Sequence, residues 1–319
     1  MKSGSVRVFK NTRTFSTAAA LVATALSLIF AHTISEKNLG WQIALATLAL
    51  AVGIPHGAID HLITLPKNAW KIMALFIAGY VLIAVLAGAA IFQWNVVGFQ
   101  LVLIMSFLHF GFGDTTFLTE LRLLNESPSS NRLAQFTYAI SAGAIPVLLP
   151  LTSDKTESAL RKIHPSIVDW AHGYAATIRT TVIVCGAATL LVLLLNKSWR
   201  DAVDILALFA LAIWTPPLVA FAIYFGCWHA MRHTARLTLL LPRAREFANR
   251  GNSGKSFLAA VIPGLPALVG TLLLAVIFVL IWRENFADRY LWNLLVIVWA
   301  LTVPHMLATA RIDLRALKK

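Results

Sequence analysis

Charged residues are scarce in this chain, at 13% of 319, whereas soluble domains carry about a quarter. That shortage excludes an ordinary water-soluble globule. Cysteine is scarcer still, with only Cys185 and Cys227, both inside apolar runs. Two such thiols exclude a disulfide framework and a cysteine-based zinc or iron–sulfur centre. Short segments of alternating polarity are also lacking, which argues against a membrane β-barrel. What is present is 58% hydrophobic residues, gathered in runs that approach the roughly 20 residues needed to cross a hydrocarbon core. The expected fold class is all-α: a polytopic integral membrane helix bundle forming a single domain over residues 1–319.

The net charge of +13 does not point to nucleic acid. The basic residues sit in short loops between apolar runs, as the positive-inside rule distributes them, and no soluble basic domain collects them. The N-terminus, with Lys2, Arg7, Lys10 and Arg13 before Ala18 to Ala31, has the outline of a signal peptide. It is read here as a first membrane helix with a cytoplasmic basic flank.

Apolar runs lie near 15–34, 41–61, 69–92, 96–118, 133–151, 175–195, 201–226, 257–282 and 290–310. Basic flanks place the N-terminus, the 232–256 loop and the C-terminus (Arg311, Arg315, Lys318, Lys319) inside. Two cytoplasmic points require an even number of crossings between them, and nine runs leave an odd number before that loop. Pro216-Pro217 offers the repair, because consecutive prolines remove backbone donors and clash with the preceding turn. Splitting there gives helices near 201–215 and 217–241 and about ten spans, with nine as the fallback. The chain is then a multi-pass protein of the inner (plasma) membrane with both termini cytoplasmic. The external stretch Thr152–Tyr174 has the pattern of an interfacial amphipathic helix, and the polar 242–256 loop is expected to be mobile.

Ionisable groups inside spans are costly and usually functional. His32 lies near a helix end, and His164 and His172 lie in the external loop. Six other histidines fall in apolar helices, in four clusters: His56 and His61, His109, His229 and His233, and His305. His229 and His233 are spaced i, i+4, so both rings leave one helix face and can grip one ion. His56 and Asp60 repeat that spacing. Asp60 and Asp114 are candidates to receive the second N–H of a metal-bound histidine, or else to cap helix ends. In the ten-helix topology the four clusters lie on helices of one orientation, toward the cytoplasmic half. An all-imidazole site suits iron, zinc, copper or nickel. A dry site filled from lipid favours iron and oxygen chemistry.

Four runs carry a resemblance: Pro55 to His61 (P-H-G-A-x-D-H), Phe107 to Asp114 (F-x-H-F-G-x-x-D), Trp228 to His233 (W-H-x-x-R-H) and Pro304-His305. They resemble the Brp/Blh family of membrane β-carotene 15,15′-dioxygenases, bacterial and archaeal enzymes that supply retinal to rhodopsins. The resemblance implies Fe(2+) held by His56, His109, His229 and His233. Asp60, His61, Asp114 and His305 would orient those ligands or substitute for one. The implied reaction adds dioxygen across the central double bond of β-carotene and yields two all-trans-retinal molecules. Phe107, Phe110, Phe112, Tyr224, Phe225, Trp228, Met231 and Met306 flank the histidines and are candidates to line the substrate tunnel, with Met105, Phe221 and Trp299 beside them. Membrane lipid is the remaining partner, no nucleic acid is expected, and a rhodopsin would be a functional partner only. The alternatives are cleavage of another carotenoid, a histidine-box lipid desaturase or hydroxylase, and, outside enzymes, a proton-coupled transporter.

Overall fold

A computed structural model describes residues 2–31, 39–65, 70–128, 130–281 and 286–317. His32, Lys318 and Lys319 lie outside the described residues, as do the side chains of Arg311 and Arg315. The described residues form helices joined by short turns, with no strand among them. α1 (Lys2–Ile29), α2 (Leu39–Gly57), α3 (Asp60–Thr64), α4 (Trp70–Gln93), α5 (Asn95–Leu124) and α6 (Arg132–Leu148) form the first half. α7 (Asp154–Ile163), α8 (Ala175–Leu195), α9 (Trp199–Trp214), α10 (Pro217–Ala222), a π-helical stretch (Ile223–His229) and α11 (Ala230–Leu240) follow. α12 (Pro242–Asn249), α13 (Ser253–Val261), α14 (Leu265–Ile281) and α15 (Phe286–Leu317) complete the bundle.

The all-α membrane bundle is as expected, but ten spans are not established. Among the described residues seven helices are long and apolar enough to cross a membrane: Gly4–Ile29, Leu39–Thr64, Trp70–Gln93, Asn95–Leu124, Ala175–Leu195, Ser253–Leu274 and Trp292–Ala310. α6 and α9 have 17 and 16 residues, and Pro217–Leu240 is divided by its π-helical stretch, so these three fall short. The break at the paired prolines is present. Thr215 and Pro216 are extended, and Pro217 opens α10 at a position where its missing N–H costs nothing.

The external stretch forms α7, capped by Ser153 and burying Thr156, Ala159, Leu160 and Ile163 on one face. The 242–256 loop is not a loose connection. α12 buries Ala244 and Ala248, and Ser256 Oγ donates to the Ala244 carbonyl at 2.8 Å. Its polar surface misleads because the two residues turned inward, Ala244 and Ala248, are small and one turn apart.

α5 is the central rod. It meets α6 so closely that a Cβ on Gly111 would stand 2.0 Å from the Ala139 carbonyl oxygen, and one on Gly143 would stand 2.0 Å from that of Phe107. Small residues permit this backbone approach in membranes, where lipid is as apolar as the packing partner. One apolar core gathers α1, α5, α6, α8 and α9 around Phe117, Ile145, Ile205 and Leu208. A second joins α2, α5, α7 and α15 around Leu50, Phe99, Ile167 and Trp292.

Between α1, α5, α9 and α11 runs a buried ionic network. Arg13 bonds Asp201 at 2.6 Å and Asp204 at 2.9 Å, and Arg122 also pairs with Asp201. Arg232 reaches Asp204 at 3.1 Å, Asp114 at 3.5 Å and Ser16 Oγ at 3.0 Å. Arg200, half-exposed at the edge, adds a contact to Asp204 at 3.7 Å, so four arginines face three aspartates. Removing one member of a buried pair leaves its partner uncompensated. Asp204→Ala is therefore expected to cost roughly 3–5 kcal/mol, seen as a lowered melting temperature in detergent; an unchanged melt would refute this role.

Candidate metal centre

Five imidazoles from five segments of chain meet in the interior. His56 comes from the end of α2, His109 from α5, His229 from the last π-helical residue, His233 from α11 and His305 from α15. All five are buried. Ring centroids of His56, His229, His109 and His305 form a closed circuit with sides of 5.2, 5.1, 5.1 and 5.6 Å. His233 stands over it, 5.0 Å from His56, 6.2 Å from His109, 6.1 Å from His229 and 5.4 Å from His305.

An ion bound by imidazole sits about 2.1 Å from the nitrogen, which places centroids of rings sharing it about 4.5–5.5 Å apart. The observed spacings begin in that range and run slightly beyond it. Among the described residues, no three His, Cys, Asp or Glu side chains already stand around a common point at ligating geometry. The rings are gathered but not closed on one centre. The chemistry of the donors nevertheless fits a cation. His56 Nδ1, His109 Nε2, both ring nitrogens of His233 and His305 Nε2 are buried without a hydrogen-bond partner, a condition that normally costs about 1–3 kcal/mol per group.

His305 is the best oriented of the five. Its Nδ1 lies 2.9 Å from Asp60 Oδ2. With Asp60 as a carboxylate, which can only accept, the hydrogen sits on Nδ1 and the lone pair of Nε2 is directed elsewhere. Tyr80 Oη also donates within 3.3 Å of Asp60 Oδ2 and stands 3.3 Å from the Leu301 carbonyl. The sequence pairs Asp60 with His56 by helical spacing, but the helix is interrupted at Ala58-Ile59, so Asp60 opens α3 and turns to His305 instead. Tyr80 is not recognisable from the sequence, because a lone tyrosine in an apolar helix carries no spacing signal.

Asp114 lies inside α5 and does not cap a helix end. It accepts from Trp228 Nε1 at 2.5 Å and faces Arg232, so its direct partners are these and not an imidazole. His61 is half-buried on the cavity wall and joins no ring of the cluster. His164 packs against Trp292 with centroids 4.4 Å apart, and His172 is exposed, 3.9 Å from Asp169.

A cavity of about 230 Å³ adjoins the imidazoles and is walled by His56, His109, His229, His305, Asp60, Tyr80, Phe110 and Phe225. A second, of about 150 Å³, lies behind it and includes Ser106, Phe221, Tyr224 and Trp299. Phe110, Phe225, Val298 and Thr302 belong to both walls. Of the aromatic and methionine side chains expected near the tunnel, Phe110, Phe221, Tyr224, Phe225 and Trp299 line these spaces. Phe107 packs on Gly143, Phe112 is partly exposed, and Trp228 is committed to Asp114. Met105, Met231 and Met306 are half-buried and line neither space.

Three comparisons bear on these residues. Residues 47–313 match the model of a family described as beta-carotene 15,15'-dioxygenase, a stretch that includes all five clustered histidines. The chain is 29% identical over 194 residues to a beta-carotene 15,15'-dioxygenase of an uncultured marine bacterium, 66A03, covering 58% of this chain and 66% of that protein. It is also 29% identical over 222 residues to the probable beta-carotene 15,15'-dioxygenase Blh of Halobacterium salinarum, covering 60% of each. The chain thus spans somewhat under two thirds of the length of these relatives. No solved structure matches. α1, whose Arg13 enters the ionic network, lies before the matched stretch.

Trp228→Phe keeps an aromatic ring but removes the donor to Asp114, whose other oxygen is already unpartnered. The expected cost is about 1–3 kcal/mol, measured by thermal unfolding; equal stability would show that the bond contributes nothing.

Proposed function

Because the chain belongs to the β-carotene 15,15′-dioxygenase family, we propose that it cleaves β-carotene at its central double bond, using dioxygen and Fe(2+) held by the imidazole cluster. The observation that carries this reading is five buried imidazoles, four of them with unpartnered nitrogens, and His56, His109, His229 and His305 among them on the wall of an apolar cavity. His56, His109, His229 and His233 are the proposed ligands, and His305 is poised as a further one. Ferrous iron there would supply the activation of dioxygen that an apolar polyene cannot provide. Dioxygen adds across C15=C15′, the carbon–carbon double bond breaks, and each half leaves as an aldehyde, giving two retinal molecules with all atoms accounted for.

The chain's own part is placement. Asp60 fixes the His305 ring, and Tyr80 holds Asp60. Phe110 and Phe225 present apolar faces to the polyene where the two cavities adjoin, and the burial of the imidazoles keeps water away from the reacting bond. The fuller reading is a single-domain protein of the plasma membrane with both termini cytoplasmic, supported by its basic flanks.

Expression in a bacterial host that accumulates β-carotene is expected to remove the colour and produce retinal. Unchanged carotene, with folded protein and ample iron, would sink the proposal. In the same host His109→Ala is expected to abolish turnover, whereas His164→Ala should leave it intact. Metal analysis of purified protein is expected to find one iron per chain. Asp60→Asn should weaken iron binding about 10–100-fold, read by competition with a chelator; unaltered affinity would remove Asp60 from the site.

A further inference from the structure

The histidine cavity has a mouth. Ile77 and Val81 of α4 and Ala267 of α14 belong to its wall and are exposed, while His56, His109, His229 and His305 on the same wall are buried. One space therefore runs from the outer surface of the bundle to the imidazoles. α4 and α14 each pack on α15 but scarcely on each other. The gap between them is a slot, with α15 at its back.

The surroundings of the slot decide what can use it. α4 carries no charged residue beyond Lys71, and none occurs between Ser256 and Ile281. Both helices belong to candidate membrane spans. Ile77 and Val81 lie near the middle of α4, and Ala267 lies near the middle of the rod from Ser253 to Ile281. An opening at that depth faces hydrocarbon, about 15 Å from either interface. Inside, Tyr80 turns its hydroxyl to Asp60 and the Leu301 carbonyl, so that hydroxyl is already bonded within the bundle.

We propose that the slot between α4 and α14 is the entrance by which a neutral, wholly apolar polyene dissolved in the bilayer core reaches the imidazoles. An amphiphilic lipid does not suit it, because a charged headgroup would have to leave the interface for the bilayer centre at a cost of several kcal/mol. The identity of the cargo rests on the oxygenase reading, whereas the location of the entrance rests on the cavity.

The test uses the full chain in lipid nanodiscs containing β-carotene, with Ile77→Trp and Ala267→Trp to narrow the slot. Leu82→Trp is the control, being on the same helix, 59% exposed and absent from the cavity wall. Loading without oxygen is followed by absorbance of protein-bound carotene, and turnover in air by retinal. Both slot variants are expected to load about tenfold more slowly and to lose about tenfold in kcat/KM, with iron content and melting temperature as in the parent and Leu82→Trp unchanged. Ile77→Ala should load at least as fast as the parent. Loading and turnover at the parental rate in both tryptophan variants would overturn the entrance. If the parent loads carotene through the slot but releases no retinal, the entrance stands and the oxygenase reading falls.

Discussion

Arg232 is the side chain on which the bundle closes. Its guanidinium meets Asp114 of α5, Asp204 of α9 and Ser16 of α1, and it lies 3.8 Å from the centroid of the Trp228 ring. A cation this deep has no water to retreat to, so its counter-charges must be supplied from within the fold. Trp228 and Arg232 form one i, i+4 pair, and His229 and His233 form another displaced by a single residue, about 100° around the axis. The first stripe anchors the segment to α1, α5 and α9. The second carries two imidazoles to the cluster. One helix is thereby locked on one side and functional on the other.

The imidazole cluster depends on that anchoring because its own contacts are weak. Rings with unpartnered nitrogens do not hold one another in place, and of the five only His305 is fixed by a side-chain hydrogen bond, to Asp60. The rigid features lie behind them: the glycine-mediated contact of α5 with α6, the ionic network, and Asp60 beneath His305. Gly264, at the turn between α13 and α14, belongs to the same scaffold. A Cβ there would stand 2.1 Å from the Pro55 carbonyl oxygen, so the start of α14 is seated directly against the residue that precedes His56.

Much of this was legible in the sequence, for identifiable reasons. Histidines in apolar helices stand out against lipid-like neighbours, and the paired prolines at 216 and 217 act through local sterics alone, so both could be recognised without a partner. The ionic network could not. Arg13 and Asp201 are 188 residues apart, and a basic residue near an N-terminal apolar run looks like a topogenic flank until α9 is laid against it. Asp60 stands out in the sequence, but its partner His305 does not, because helical spacing presumes an uninterrupted helix and the chain turns at Ala58-Ile59. The 242–256 segment was judged by its polar majority, and its two inward alanines gave no contrast. Among the described residues seven helices qualify as spans by length and composition, and short or interrupted helices in a bundle need not meet the criteria of isolated ones.

The π-helical stretch from Ile223 to His229 has a consequence for how this chain can change. A π-helical turn holds one residue more than the turn it replaces, and the surplus is absorbed between α10 and α11. Tyr224 and Phe225, which line the cavities, lie within it, while His233 lies beyond it. Loss of one residue there would restore an ordinary helix with Arg232 and His233 kept on their respective faces, whereas loss of one residue from α11 ahead of Arg232 would rotate both off those faces by about 100°. The stretch is thus the one place on this helix where the loss of a single residue leaves the downstream faces in register, and it acts as a buffer between the apolar chamber and the imidazoles.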